Sequence, residues 1–160
     1  MGALGACAGP PPAEVPDDQL RGRIPPPGDV RSTRVVRVVD GDTVVLADLG
    51  SSRLIGVDTP EVHGGEECFG TQASAFARRV LARGSLVRFL PGREPRDRYG
   101  RPLVYLWLAD GRSLNAMLVE GGYAKPLAIE PNDRYAKRFA NLDRRARTSG
   151  RGRWAACAGG

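Results

Sequence analysis

Between residues 34 and 57 the apolar positions fall in short β-branched runs, and from residue 71 onward they recur at helical spacing. Arg34–Asp40 (RVVRVVD) and Thr43–Leu49 (TVVLADL) flank an Asp-Gly pair, the pattern of a hairpin. Arg53–Val57 (RLIGV) predicts a third strand, which Asp58-Thr59-Pro60 stops because proline cannot donate to a central ladder. A loop covers Glu61–Phe69. In Thr71–Arg83, Ala73, Phe76, Ala77, Val80 and Leu81 share one helical face, Arg78, Arg79 and Arg83 take the other, and Gly84 stops the helix. Leu86–Leu90 and Leu103–Leu108 predict two more strands around the polar segment Gly92–Pro102. Leu114–Glu120 reads as a short helix closed by Gly121-Gly122. Asp133–Arg147 reads as a third helix with Tyr135, Phe139, Leu142 and Ala146 inward, and with Asn132 or Asp133 as its cap.

Three strands, a helix, two strands and two helices make an α+β chain that is mainly β. The order is that of a five-stranded OB-fold barrel with three helices; a small open α+β sheet gives the same string. Residues 1–30 are rich in proline and glycine without periodicity, so a flexible tail is expected there. The domain is expected over residues 31–157, with 158–160 as a second tail.

Composition narrows the chemistry. A chain of 160 residues has room for one ordinary domain, and no apolar run approaches the roughly 20 residues that cross a bilayer. The formal charge is +6, and Lys125 and Lys137 are the only lysines among 24 basic residues. Such basicity suits a polyanion like nucleic acid, and it equally follows from a GC-rich genome. His63 is the only histidine, and three scattered cysteines are too few for a zinc site, so His-based metal chemistry and a Ser-His-Asp triad are excluded. What remains is carboxylates, arginines and a hard cation.

A phosphodiester hydrolase can be built from those parts. A cation bridges carboxylate and phosphate, arginines neutralise charge on the phosphorane oxygens, and a base orients water. Ca²⁺ suits oxygen-only ligands, and the planar guanidinium fork suits phosphate. Three segments carry candidates: Asp40-Gly41-Asp42-Thr43; Arg53 through Glu61, with Asp58 five residues and Glu61 eight residues after the arginine; and Asp97-Arg98-Tyr99-Gly100-Arg101. In an unbroken strand Arg53 and Asp58 point to opposite faces, so their convergence requires the chain to turn, and the turn is expected at Asp58-Thr59-Pro60. Taken singly, each segment reads equally as a turn or a surface arginine.

As an ordered set, the three segments resemble the staphylococcal nuclease family over about residues 34–157. The family series stands here as Val39-Asp40-Gly41-Asp42-Thr43, Arg53 through Glu61, and Asp97 through Arg101. The resemblance implies an OB barrel that hydrolyses DNA and RNA with Ca²⁺ and leaves 3′-phosphates, favouring single strands or frayed duplex. It places Asp42, Asp58 and the Thr59 carbonyl at calcium, with Asp40 as a neighbouring acid of the turn. It makes Glu61 the general base and Arg53 and Arg101 the phosphate clamp, and it puts Asp97, Tyr99 and Lys125 on the substrate side. The alternative, a catalytically silent OB module that binds nucleic acid or protein, is disfavoured because such modules usually lose site carboxylates or arginines. A structural calcium-binding domain has no use for both arginines.

One stretch departs from the family. Where well-known members carry base-stacking tyrosines, this chain reads Gly122-Tyr123-Ala124-Lys125-Pro126-Leu127-Ala128-Ile129-Glu130-Pro131, about one residue shorter and without those aromatics. Weaker or differently selective substrate binding is expected. The resemblance to secreted bacterial members also implies a Cys68–Cys157 disulfide, the alternative being two reduced buried thiols. Leu4-Gly5-Ala6-Cys7 resembles a lipobox, so Cys7 is a candidate for lipidation, the only membrane attachment expected. The export signal is incomplete as written, with six residues before Cys7. The implied address is secreted or cell-surface, and the default state is a monomer.

Overall fold

The computed structural model describes residue 16 and residues 19–157, and Cys7 and residues 158–160 lie outside that range. The elements run β1 (Arg31–Asp40), β2 (Thr43–Leu46), β3 (Gly50–Leu54), β4 (Gly56–Asp58), α1 (Gly70–Val80), β5 (Leu86–Arg96), β6 (Pro102–Leu108), α2 (Leu114–Glu120), β7 (Lys125–Leu127), α3 (Ala136–Thr148) and α4 (Arg153–Ala156). Strands β1-β2-β3-β6-β5 close a barrel of OB type, and β4 and β7 form a separate two-stranded sheet. All barrel neighbours are antiparallel except β3 and β6, which run parallel with Arg53 opposite Leu103. That one parallel pair brings the end of β3 beside the start of β6, where the two arginine segments meet. Val35, Val44, Leu46, Leu54, Val87, Phe89, Val104 and Leu106 fill the barrel, each at most 3% exposed.

The third predicted strand is two strands. Gly56 has φ +78°, a left-handed value that breaks the chain between β3 and β4. A Cβ there would lie 2.6 Å from Cε2 of Phe139, so the break also receives the α3 side chain. Asn115 secures it: Nδ2 donates to the Ile55 carbonyl at 2.8 Å, and Oδ1 accepts from Leu106 N at 3.0 Å. Both polar ends of a fully buried amide are thereby satisfied. Gly56→Ala should cost about 2–5 kcal/mol, combining a left-handed non-glycine residue with overpacking against Phe139. Thermal unfolding should register this as a drop in Tm on the order of 10 °C for a domain of this size, and an unchanged Tm would refute it.

The packed unit also begins earlier than the periodicity suggests. Leu20 and Ile24 are 0% and 2% exposed within the core, although both lie in the stretch read as a tail. Trp107 Nε1 donates to the Ile24 carbonyl at 2.6 Å, Ser113 N to the Gly22 carbonyl at 2.9 Å, and Gly22 N to Glu120 Oε2 at 3.0 Å. Each fully buried aliphatic side chain of this kind contributes about 1.5–3 kcal/mol, enough to hold a short strap against the barrel. Asn132 does not cap α3, whose N-cap position is taken by Tyr135 without a side-chain hydrogen bond. Instead Asn132 exchanges two hydrogen bonds with the Glu94 backbone, at 2.9 and 3.0 Å. The expected Cys68–Cys157 disulfide is present, joining the loop before α1 to the end of α4, a short helix added to the three expected.

Candidate active site

The acidic half is assembled at a tight turn. Gly41 sits where a Cβ would be 2.7 Å from Thr59 Cγ2, so only glycine lets the turn approach the end of β4. Across that contact Thr59 N donates to Asp42 Oδ2 at 2.9 Å, and within the turn Asp42 N donates to Asp40 Oδ1 at 3.2 Å. Arg53 reaches over the break at Gly56. Its Nη1 donates to the Leu54 and Val57 carbonyls at 2.7 and 2.8 Å, while Nη2 lies 3.1 Å from Asp42 Oδ2 and 3.2 Å from Asp58 Oδ1. The parity conflict between Arg53 and Asp58 is thus resolved at Gly56, ahead of the turn expected at Asp58-Thr59-Pro60, and the guanidinium itself spans the break.

One guanidinium does not neutralise this group. Burial pushes the Asp42 carboxyl up, helped by Asp40 and opposed by Arg53 and the Thr59 amide; the net direction is up. Asp58 is also raised, by burial and by the Asp42 charge, against the pull of Arg53. By formal count, the three carboxylates of Asp40, Asp42 and Asp58 stand against the one Arg53 guanidinium. Among the described residues, no three His, Cys, Asp or Glu side chains form a metal-holding group, so any cation would take only part of its ligands from side chains.

The basic half is the turn between β5 and β6. Asp97 organises it: Oδ1 accepts from Tyr99 N and Arg101 N, both at 2.9 Å, and Oδ2 accepts from Arg101 Nε at 2.7 Å. Burial alone would push Asp97 up, but these hydrogen bonds and the Arg101 charge hold it below the usual carboxylate range. Among the described residues only Nε of the Arg101 guanidinium has a protein acceptor, which leaves both Nη groups available. Tyr99, 69% exposed, stands between the guanidinium carbons of Arg98 and Arg101, 4.9 and 5.7 Å from its ring centre.

A cleft of about 520 Å³ connects the halves, lined by Arg53, Arg96, Arg98, Tyr99, Arg101 and, on its far wall, Leu127 and Ile129. Asp42, Asp58 and Glu61 do not line it; Asp42 and Asp58 reach it through their ion pairs with Arg53. Glu61 sits on the loop after β4. Its backbone N donates to Glu67 Oε2 at 3.0 Å, Glu67 N donates to the Glu61 carbonyl at 2.9 Å, and its exposed carboxylate has no protein partner among the described residues. Lys125 does not line the cleft: it pairs with Asp58 in the β4–β7 ladder, and its ammonium lies 5.9 Å from the Trp154 ring centre. Sequence reasoning passed over Arg96 and Arg98, although Arg98 stands inside the Asp97–Arg101 motif. It also passed over Leu127 and Ile129, whose alternate spacing was the available signal.

A mixed five-stranded barrel with an acid–arginine cleft at the β3–β6 junction defines a class of small OB-fold proteins. Within it, residues 51–156 match the model of the staphylococcal nuclease homologue family, and the chain belongs to that family. It is 42% identical to the thermonuclease of Staphylococcus intermedius over 115 residues, covering 67% of each chain. It is 34% identical to the thermonuclease of Staphylococcus hyicus, covering 76% of this chain and 74% of that one. It is also 36% identical over 111 residues to endonuclease YhcR of Bacillus subtilis, spanning 62% of this chain and 9% of that much longer protein.

Proposed function

We propose that this protein is a calcium-dependent endonuclease that hydrolyses phosphodiester bonds of DNA and RNA, leaving 3′-phosphates. The observation that carries the reading is Arg53, which bonds to Asp42 and Asp58 and also forms the edge of the cleft that Arg101 lines. A scissile phosphate held between these guanidiniums would lie at the acidic group. Asp42, Asp58 and the Thr59 carbonyl would hold Ca²⁺, which suits hard oxygen donors completed by water, and the excess of carboxylates over the single Arg53 guanidinium supports that reading. When bound, the ion supplies charge stabilisation at a phosphoryl oxygen.

Glu61, whose carboxylate has no partner among the described residues and which is adjacent to this group in sequence, would accept a proton from attacking water. Arg101 would neutralise charge on the phosphorane and leaving oxygens, and Asp97 would fix its orientation. Tyr99 would donate to phosphate. The base would meet Leu127 and Ile129 in place of aromatics, forgoing part of the roughly 1–3 kcal/mol that stacking contributes per base. Single strands suit so narrow a reach. A disulfide fits an oxidising location outside the cell, and a monomer suffices for the site.

Incubation with single-stranded DNA or RNA and Ca²⁺ should give cleavage that a chelator abolishes, with end-labelling revealing 3′-phosphates. Binding without chelator-sensitive cleavage would instead mark a silent OB module. The pH dependence carries a sign. Because Asp42 and Asp58 are raised, metal-free stability falls as pH rises through their folded values, and Ca²⁺ should restore it at neutral pH. The Ca²⁺-induced rise in Tm should therefore shrink as the solution is acidified; a pH-independent rise would contradict the assignment.

A further inference from the structure

A second basic concavity lies where the residue 20–24 strap meets α3. Alternation along the strap buries Leu20, Gly22 and Ile24 and turns Arg21 and Arg23 outward. On α3, Phe139, Asp143 and Ala146 are buried, while Arg138, Asn141 and Arg145 recur at helical spacing on an exposed stripe. The two rows face each other across a groove of about 540 Å³ with Ile24 and Leu142 among its lining. A depression of about 760 Å³ shares Arg21 and Arg145 and continues over Arg144 and Arg151. Neither includes a residue of the Arg53–Arg101 cleft.

The charge is one-sided. Among the described residues, Glu120 is the only carboxylate lining either concavity, and its Oε2 already accepts from Gly22 N. Among the described residues, Arg21, Arg23, Arg138 and Arg145 have no side-chain acceptor or ion-pair partner. Guanidiniums lining one groove repel one another, and an extended chain of phosphates relieves that repulsion along its length.

We propose that this groove is an exosite for the phosphodiester backbone of a single-stranded nucleic acid, anchoring substrate outside the cleavage cleft. The inference rests on the nuclease reading for its choice of polyanion. An anionic membrane fits less well, because none of the large exposed hydrophobic side chains (Val36, Leu86, Tyr99, Leu127 and Ile129) lies in the groove to enter a bilayer.

The test uses the full chain with Arg138→Gln/Arg145→Gln, both exposed, beside Lys137→Gln as a control for net charge on the same helix. With a long DNA strand the double variant should show KM raised about tenfold for two lost phosphate contacts, with kcat unchanged. A dinucleotide substrate, too short to reach both sites, should be cleaved as before.

Fluorescence anisotropy of a labelled strand in chelator reads binding without turnover. The slope of log affinity against log salt should flatten by about 1.4, at about 0.7 per single-strand contact. Unchanged affinity and slope would overturn the proposal, as would an equal effect of Lys137→Gln. Loss of phosphatidylserine-vesicle binding with strand binding intact would overturn it in favour of a membrane. If the parent chain binds through the groove but does not cleave, the exosite stands and the nuclease reading falls.

Discussion

Glu61→Gln should lower kcat by about 10²–10⁴-fold, the range a positioned general base supplies. The side chain is exposed and without protein partners, so its replacement leaves the Arg53 ion pairs and the core untouched. KM and the Ca²⁺ requirement should consequently stay near those of the parent chain. The loop backbone is held independently of the Glu61 carboxylate, by the two hydrogen bonds exchanged with Glu67 and by the close approach of Gly70, where a Cβ would lie 2.8 Å from the Glu61 carbonyl. A loss confined to kcat, together with a disturbed acidic limb of the pH–rate profile, identifies a base. Undiminished kcat would remove Glu61 from the mechanism.

Arg53→Lys should lower kcat/KM by about 10²–10³-fold, comparable to deleting one donor to a developing oxyanion. The change retains the charge and removes the fork. Arg53 addresses four acceptors at once, the Leu54 and Val57 carbonyls and the Asp42 and Asp58 carboxylates, and a lysine ammonium cannot span them. Two carbonyls at the break would lose their donor, at a further cost of about 1–3 kcal/mol each if left unsatisfied. Activity and Tm should thus fall together, unlike the Glu61 case. A lysine variant with parental kcat/KM would show that neither the fork nor the bridge matters.

The strands and helices with strong periodicity were legible because their patterns are local. The hairpin around Gly41, the α1 face of Ala73, Phe76 and Ala77, and β6 each declare themselves within a dozen residues. The break in the third strand was not legible from alternation, since Arg53–Val57 reads as one apolar run. Its cause is a contact between Gly56 and Phe139, more than 80 residues apart. Leu20 and Ile24 escaped notice for a similar reason: proline-rich surroundings hide two apolar side chains whose partners lie in β6 and α2.

The site residues were legible as ordered motifs rather than through any one of them. Their spacing is the imprint of two turns and one strand junction. What the spacing did not convey was division of labour. Asp97, grouped with the substrate contacts, spends both oxygens on Arg101 and Tyr99, and Lys125, grouped likewise, faces Trp154. The missing aromatics were visible as an absence, and the aliphatic wall that replaces them required the position of β7.

The Cys68–Cys157 bond divides the molecule into a covalent ring and a free arm. The ring contains α1 and everything from β5 to α4, including Arg101. The arm contains β1 to β4, and with them Asp42, Arg53, Asp58 and Glu61. Apart from the peptide link at Cys68, non-covalent seams join the two: β1 against β5, β3 against β6, β4 against β7, and the residue 20–24 strap against β6 and α2. A molecule whose arm has peeled away can keep its ring closed yet holds the acids and Arg101 on separate pieces. Under the proposed assignment, catalytic competence is a property of the closed seam, and a partly opened protein should lose activity before it is fully unfolded.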